Sequence, residues 1–360
     1  MAISAEALLA GPRGRRLLLE FALASAPGEG DELRSAVMLA AYRLDLGHGG
    51  SVALFGPGAA EAESAVVLPD DVAVLLHRAA PLEPDSATVL RALVASVDAA
   101  RYWQEPDGED RLAETGPVRE ALVPIAERVA SSADSGWWDE PLDRAEQHAV
   151  TWDDDAPAKV SMTAAERLAL WRSATIDGEL RAGRERPAEP EALWSGEWWS
   201  TPPAALTRTT RALGGHGPAG LWLVEDGFGW ERATTQSVAV PDGSRVYEVD
   251  GAAAWAALCL AHPLEVTAQK RHDWYRTTGR DGQWVMPDWA GVAEDHDAVH
   301  LTAAAYLAAA GTAVRVDDGS ASIIAGWNPD ETYWLREVEP ADGEQGWHRE
   351  HDGDWRHLTQ

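Results

Sequence analysis

Residues 244–267 read SRVYEVDGAAAWAALCLAHPLEVT and place a strand, a helix and a second strand one after another. The first six of these residues alternate and include β-branched side chains, which is typical of a strand. Asp250 then precedes an apolar run that predicts a helix, and His262-Pro263 ends that helix. Because strand and helix alternate without the long, regular crossovers of a doubly wound fold, the predicted class is α+β.

The same alternation continues on both sides, so residues 201–340 are predicted to form one α+β domain, followed by a C-terminal tail at 341–360. The predicted strands lie at residues 220–225, 298–301, 313–316, 322–325 and 333–338. Thr302 is placed to cap a helix over residues 303–310. The glycine-rich stretch 211–220 lacks the spacing of a phosphate loop and predicts a flexible linker.

Residues 1–135 predict a helical bundle, because apolar side chains recur there at three- to four-residue spacing. The predicted helices cover residues 15–24, 31–44, 70–80, 85–103 and 115–130. Asp31, Asp85 and Thr115 stand where N-caps are expected. Residues 51–55, SVALF, predict a short strand or a loop.

Tryptophan marks a change in composition, since all but Trp103 of the 18 tryptophans lie after residue 136. Residues 136–200 are predicted to form a tryptophan-rich bridging segment that packs onto both domains. Its clearest helix starts at Thr163, where Glu166 gives the spacing of a capping box, and ends near Gly183.

The formal charge of −29 argues against direct binding of nucleic acid, which requires lysine and arginine to displace counterions from phosphate. Acidic residues occur along the whole chain, which favours a role in solubility; the alternative is a surface for a basic protein partner. No apolar run reaches the roughly 18 residues that span a bilayer. Cys259, the single cysteine, excludes an intramolecular disulfide and fits an inert thiol in a reducing cytoplasm.

Residues 272–280, HDWYRTTGR, form the richest cluster of chemically useful side chains, in a predicted loop between strand and helix. Arg276 and Arg280 offer guanidiniums for a phosphate or carboxylate, and Trp274 and Tyr275 offer faces for a base or sugar ring. The cluster therefore predicts a site for a small-molecule or nucleotide ligand. The alternative is a solvated loop anchored by its tryptophan.

His272 and His300 are the candidates for proton transfer, since imidazole titrates near neutral pH, and Asp273 and Asp297 are the candidates to orient them. His300 also follows His296 at a spacing that on a helix joins two histidines to one zinc ion. The alternation around His300 instead predicts a strand, so the two histidines straddle a helix-to-strand junction. No metal site is predicted, and a buried His300 satisfied by a neighbour is the structural alternative.

Three segments carry a resemblance: residues 287–293 (PDWAGVA), 297–302 (DAVHLT) and 326–335 (GWNPDETYWL). They resemble a pattern in uncharacterised bacterial and phage proteins, and the likeness covers residues 195–336. It implies that this stretch is one domain and implies no reaction. The strand–helix alternation with scattered arginine, histidine and glutamate is also similar to the small α+β fold of ADP-ribosyltransferases, which implies a nucleotide-using activity.

The leading hypothesis is a small-ligand or nucleotide-using enzyme with its site in the C-terminal domain. The competing hypothesis is a non-catalytic acidic interaction protein of the immunity or anti-defence type. The sequence contains no Walker A loop, dinucleotide fingerprint, nucleophile elbow or Cys-x-x-Cys pair, so cofactor and substrate stay unnamed. A pocket lined by residues 272–280 and His300 favours the first hypothesis, whereas a concentrated patch of carboxylates favours the second.

Overall fold

The computed structural model describes residues 3–25, 30–47, 65–79, 83–153, 162–227, 229–341, 343–351 and 353–358. Its helices and three sheets confirm the α+β class. The chain divides into two compact units. Unit 1 comprises Met1–Ser96 and Glu105–Trp137, and unit 2 comprises Val97–Gln104 and Trp138–Gln360. The predicted bridging segment lies in unit 2 from Trp138 onward.

Unit 1 is helical in the part that the structure describes. Its helices are α1 (Ala5–Ala10), α2 (Pro12–Ser25), α3 (Gly30–Gly47), α4 (Pro69–Ala79), α5 (Ser86–Asp98, of which the last two residues belong to unit 2), α6 (Gly108–Glu114) and α7 (Gly116–Ser131). Asp85 caps α5 as predicted, because its Oδ1 accepts the Thr88 amide hydrogen at 3.0 Å. Thr115 precedes α7 as predicted, but its hydroxyl donates back to the carbonyl of Leu112 at 2.7 Å.

Unit 2 contains the strands. They are β1 (Gln147–Trp152), β2 (Arg208–Thr209), β3 (Arg232–Val238), β4 (Val246–Val249), β5 (Pro263–Glu265), β6 (Gln283–Pro287), β7 (Ala298–Leu301), β8 (Val314–Arg315), β9 (Ser320–Ser322), β10 (Thr332–Trp334), β11 (Gln345–His348) and β12 (Arg356–His357). Its helices are α8 (Ala164–Glu185), α9 (Ala252–Ala261), α10 (Thr267–Thr278), α11 (Trp289–Asp295) and α12 (Ala303–Ala309).

The strands form three four-stranded sheets, with orders β1-β3-β11-β12, β2-β10-β7-β4 and β5-β6-β9-β8. In the first sheet β1 runs antiparallel to β3, with Gln147 opposite Val238. In the second, β7 pairs parallel with β4 and antiparallel with β10, so it lies inside the sheet with all four of its residues buried. Residues 345–348 and 356–357, near the C-terminus, complete the first sheet as β11 and β12.

Two predicted helix starts in unit 2 are confirmed by their caps. Thr163 and Glu166 form the reciprocal hydrogen bonds of a capping box at the start of α8. Thr302 precedes α12, and its Oγ1 accepts the Ala305 amide hydrogen at 3.1 Å. The cap of α9 is shifted by one residue from the prediction, because Gly251 rather than Asp250 holds the N-cap position.

The strand predicted at residues 220–225 is wrong. Ala219–Leu221 forms a short 3-10 helix, and the Leu223 amide donates to the Ala219 carbonyl at 2.9 Å. Leu221 and Leu223 are both buried, so the alternation reports burial on one side of a turn rather than a strand. The predicted loop at residues 272–280 is also wrong, since most of it belongs to α10.

Two sequence predictions fall outside what can be compared. Residues 51–55 lie outside the described residues, as does the side chain of Asp31, although its backbone belongs to α3. Among the described helices, none is both long and apolar enough to cross a bilayer.

Candidate functional site

Helix α10 carries the sequence-predicted cluster, and its inner face is polar. Gln269, Lys270, His272 and Asp273 are all buried on it. The ammonium group of Lys270 donates to the carbonyl oxygens of Glu197 and Trp199, each at 2.8 Å. Burial lowers the pKa of Lys270 to about 8. The helix therefore holds an irregular neighbouring segment through charged side chains, which explains why apolar spacing did not predict it.

The predicted ligand-binding residues of this cluster have partners inside unit 2. Arg276 donates to the carbonyl oxygens of Trp194 (2.7 Å) and Trp103 (3.2 Å). Arg280 donates to the carbonyl oxygens of Gln283 and Gly319, each at 2.9 Å, and lies over the Trp284 ring. Trp274 is fully buried and donates its indole hydrogen to the Trp198 carbonyl at 2.7 Å. Tyr275 is half-buried on the same helix.

His272 and Asp273 are buried in the same contact. Nδ1 of His272 lies 3.3 Å from the carbonyl oxygen of Pro190. The carboxylate of Asp273 accepts hydrogen bonds from the Ser195 hydroxyl (2.8 Å) and the Gly196 amide (3.0 Å), and it pairs with Arg276. Asp273 therefore fixes the 195–196 backbone.

Asp297, the other predicted orienting acid, is engaged by two arginines. Arg245 lies 3.2 Å and Arg336 lies 2.6 Å from its Oδ1. The hydrogen bonds from Arg245 hold the pKa of Asp297 well below its usual range. The carboxylate therefore ties β4 to the loop after β10.

His296 and His300 straddle a helix-to-strand junction, as predicted. His296 follows α11 as its C-cap, with its ring 5.2 Å from that of Tyr247. His300 lies in β7, with Nδ1 2.6 Å from Oε2 of Glu248 and Nε2 3.4 Å from Oδ1 of Asp330. The carboxylates that orient His300 are thus Glu248 and Asp330.

The His300 cluster is a buried ion network. Oδ1 of Asp330 also accepts from Nε of Arg211 at 2.7 Å, and Oδ2 accepts from the Arg211 amide at 2.9 Å. Arg211 continues to Glu140 at 2.6 Å. Burial alone lowers the pKa of His300, but the hydrogen bonds that its ring donates to Asp330 and Glu248 outweigh burial and raise the pKa to about 9. His300 is therefore the cation between two carboxylates at neutral pH.

An open cleft lies beside this network, where β1 meets β2. The backbones of His148 and Thr210 exchange two hydrogen bonds there, at 2.9 and 3.0 Å. The walls enclose about 330 Å³, part of it continuous with solvent. They are formed by His148, Val150, Trp152, Arg208, Thr209, Thr210, Gly220, Val224, Asn328 and Glu331.

Strand β1 supplies one wall of the cleft through every second residue, because successive side chains of a strand point to opposite faces. These residues are His148, Val150 and Trp152. The Trp152 ring stacks on Trp230 with 4.8 Å between centroids, which fixes this wall. Nε2 of His148 is buried, makes no hydrogen bond within the described parts of the chain and lies 3.5 Å from Oε1 of Glu146.

Glu331 is the buried carboxyl group of the cleft, with only 6% of its surface exposed. Its Oε1 accepts from Nδ2 of Asn328 at 3.4 Å and lies 3.5 Å from Nη1 of Arg208. Its Oε2 is buried and has no hydrogen-bond partner among the residues that the structure describes. Burial raises the pKa of Glu331 above its ordinary value. A carboxyl group of this kind exchanges a proton closer to neutral pH than an exposed glutamate does.

Sequence reasoning missed this cleft. The acid of the cleft, Glu331, occurs in the stretch Asn328-Pro-Asp-Glu331. This stretch is a polar interruption between Trp327 and Tyr333. That interruption was the available signal, since consecutive polar residues within an aromatic run are costly to bury without a role.

The structure brings Asp273, Trp274 and Arg276 together on α10, and it places His300 in a separate network with different partners.

Comparison of the chain with models of protein families, with curated proteins and with solved structures found no match.

Proposed function

We propose that unit 2 is a small-ligand enzyme domain whose reactive group is Glu331. The observation that carries this proposal is that Glu331 lines an open cleft while its Oε2 is buried and has no hydrogen-bond partner among the described residues. An unsatisfied buried carboxylate oxygen costs stability, so its retention in a cleft supports a role with a ligand.

Each wall of the cleft has a part in this proposal. Glu331 exchanges the proton, and Arg208 next to it stabilises negative charge on the ligand or on the carboxylate. His148 supplies an imidazole ring from β1. Val150 and Trp152 supply apolar surface against which the ligand packs.

The open space of the cleft, about 330 Å³ with part of it continuous with solvent, favours a ligand of few heavy atoms. Use of a nucleotide, a likeness to ADP-ribosyltransferases and a location in the cytoplasm stay predictions. We retain the first two as hypotheses about the ligand and the third as a hypothesis about location.

A thermal-shift panel of nucleotides, NAD, sugar phosphates, simple amides and divalent metals tests the proposal. A ligand at about 100 times its Kd stabilises the protein by about 2.7 kcal/mol. We expect at least one compound to raise the Tm of the wild type but not that of Glu331→Gln. Glu344→Gln is the matched control, because Glu344 is exposed and the change in charge is the same.

Two results contradict the proposal. One is a panel without any shift, which returns the acidic interaction protein to first place. The other is a shift that is equal in the wild type and Glu331→Gln, since the ligand then binds elsewhere.

A further inference from the structure

We infer that the Glu331 cleft recognises a neutral planar amide, either a primary carboxamide or a ring edge with the same adjacent donor and acceptor. The inference rests on the proposed function and deepens it by naming the ligand class. Three features support it. They are the acceptor Oε2 of Glu331, which has no hydrogen-bond partner among the described residues, the cation Arg208 beside Glu331, and the size and charge of the cleft.

The acceptor is Oε2 of Glu331. It is buried, it belongs to a side chain that lines the cleft, and its sister oxygen Oε1 is already engaged by Asn328 at 3.4 Å. A ligand that donates an N–H to Oε2 therefore completes the hydrogen bonding of this carboxylate. A ligand that offers only acceptors leaves Oε2 unpaired or requires Glu331 to be protonated.

The donor is the guanidinium of Arg208, whose Nη1 lies 3.5 Å from Oε1 of Glu331. The Arg208 side chain retains 36% of its surface exposed while it lines the cleft. A carboxylate acceptor and a guanidinium donor on neighbouring side chains of one cleft match a group whose N–H and C=O stand side by side. That group is an amide, which spans both without changing the charge of either.

Charge separates this ligand class from its two nearest alternatives. A carboxylate fits Arg208 but is repelled by Glu331 and by a chain of net charge −29. A guanidinium or amidinium fits Glu331 but is repelled by Arg208. A neutral amide meets neither repulsion, and its few heavy atoms suit a small cleft with the apolar side chains Val150 and Val224 in its walls.

Acetamide, acetate and guanidinium test the inference, since these planar probes have the same number of heavy atoms and differ in their charge and in their donors and acceptors. Their affinities are measured by ligand-observed NMR titration against the full-length protein at pH 7.5. Ligands this small bind at about millimolar Kd, so the comparison is relative. We expect acetamide to bind at least about tenfold more tightly than either ion, the difference that one matched hydrogen bond provides.

Two variants assign the binding to the cleft. Glu331→Met and Arg208→Met each remove one of the two matched groups while keeping similar side-chain length, and Glu344→Met controls for the introduced methionine. We expect each cleft variant to weaken acetamide binding about tenfold and the control to leave it unchanged. Glu331→Gln keeps an acceptor oxygen, so we expect it to lose less affinity for acetamide than Glu331→Met. If methionine at this position unfolds unit 2, Glu331→Gln still tests the inference.

The failures are distinguishable. If acetate or guanidinium binds best and loses affinity in Glu331→Met, the amide inference is overturned while the cleft stands as a ligand site. If acetamide binds equally to the wild type and to all variants, the inference is overturned because the amide binds elsewhere. If no probe binds and the thermal-shift panel is also silent, the inference and the proposed function fail together.

Discussion

The buried imidazolium of His300 makes the stability of unit 2 depend on pH in a direction that the structure fixes. The hydrogen bonds that the ring donates to Asp330 and Glu248 favour its charged form and, against the effect of burial, raise its pKa from an ordinary 6.5 to about 9. A group whose pKa is higher in the folded state stabilises the fold fully below its unfolded pKa. That stability is lost as the pH rises through the folded pKa.

The size of the effect follows from the difference between the two pKa values. At about 1.36 kcal/mol per pKa unit, the charged ring contributes about 3 kcal/mol at pH 6, nearly all of which is gone at pH 9.5. Lys270 has the opposite sign, because burial lowers its pKa to about 8 and its desolvation cost falls above that pH. In the wild type, the pH dependence of the unfolding free energy due to His300 is therefore partly cancelled by that due to Lys270.

The assay is urea denaturation followed by tryptophan emission, at several pH values from 6 to 9.5, for the wild type and His300→Gln. Emission reports unit 2, since all but Trp137 of the 18 tryptophans belong to it. We expect the difference in unfolding free energy between the two proteins to shrink by about 3 kcal/mol across this range. A difference that stays constant with pH would falsify the assignment of a buried imidazolium.

Three further predictions test other parts of unit 2. Glu331→Gln is expected to raise the unfolding free energy, with a gain that grows as the pH rises above the ordinary glutamate pKa of 4.5, because burial raises the pKa of this carboxyl and its ionisation opposes folding. A pH-independent gain in a urea titration contradicts this. Gly326→Ala is expected to lower the unfolding free energy, measured by the same urea titration, by about 2–4 kcal/mol. The reason is that φ of Gly326 is +75° and an added Cβ would lie 2.6 Å from the Cβ of Trp199. A loss of stability below that of an ordinary surface substitution refutes this prediction. Cys259 is expected to resist a thiol reagent in the native protein and to react fully in denaturant, because burial raises its pKa to about 12; rapid native labelling is the contrary result.

Local chemistry explains which elements the sequence predicted. The capping box of Thr163 and Glu166 and the cap at Thr302 depend on residues within one turn, so their spacing is visible without tertiary context. The sequence did not predict helix α10, because its buried face is polar and Lys270 donates to carbonyl oxygens of residues far along the chain. Periodicity of apolar residues carries no signal for such a helix.

The candidate site was beyond sequence reasoning for a related reason. Glu331 is buried only because β10 pairs with β2, which brings Arg208 opposite Tyr333 and places β1 alongside. The first pairing joins residues 125 positions apart and the second joins residues 62 positions apart, and nothing local to Glu331 specifies either of them. The cluster at residues 272–280 drew attention through its composition, although its arginines serve neighbouring carbonyl oxygens.

The turn before β10 gives two adjacent acids opposite properties. Asp330 has a positive φ of 61°, an uncommon conformation that its amide hydrogen bond to Leu301 and its ion pair with Arg211 hold in place. Burial alone raises the pKa of Asp330, but His300 and Arg211 outweigh it and lower the pKa. Glu331 lacks comparable compensation, so burial raises its pKa. Neighbouring carboxyls whose pKa values are driven apart divide into a structural anion and a proton-exchanging group, and this division favours Glu331 as the reactive acid.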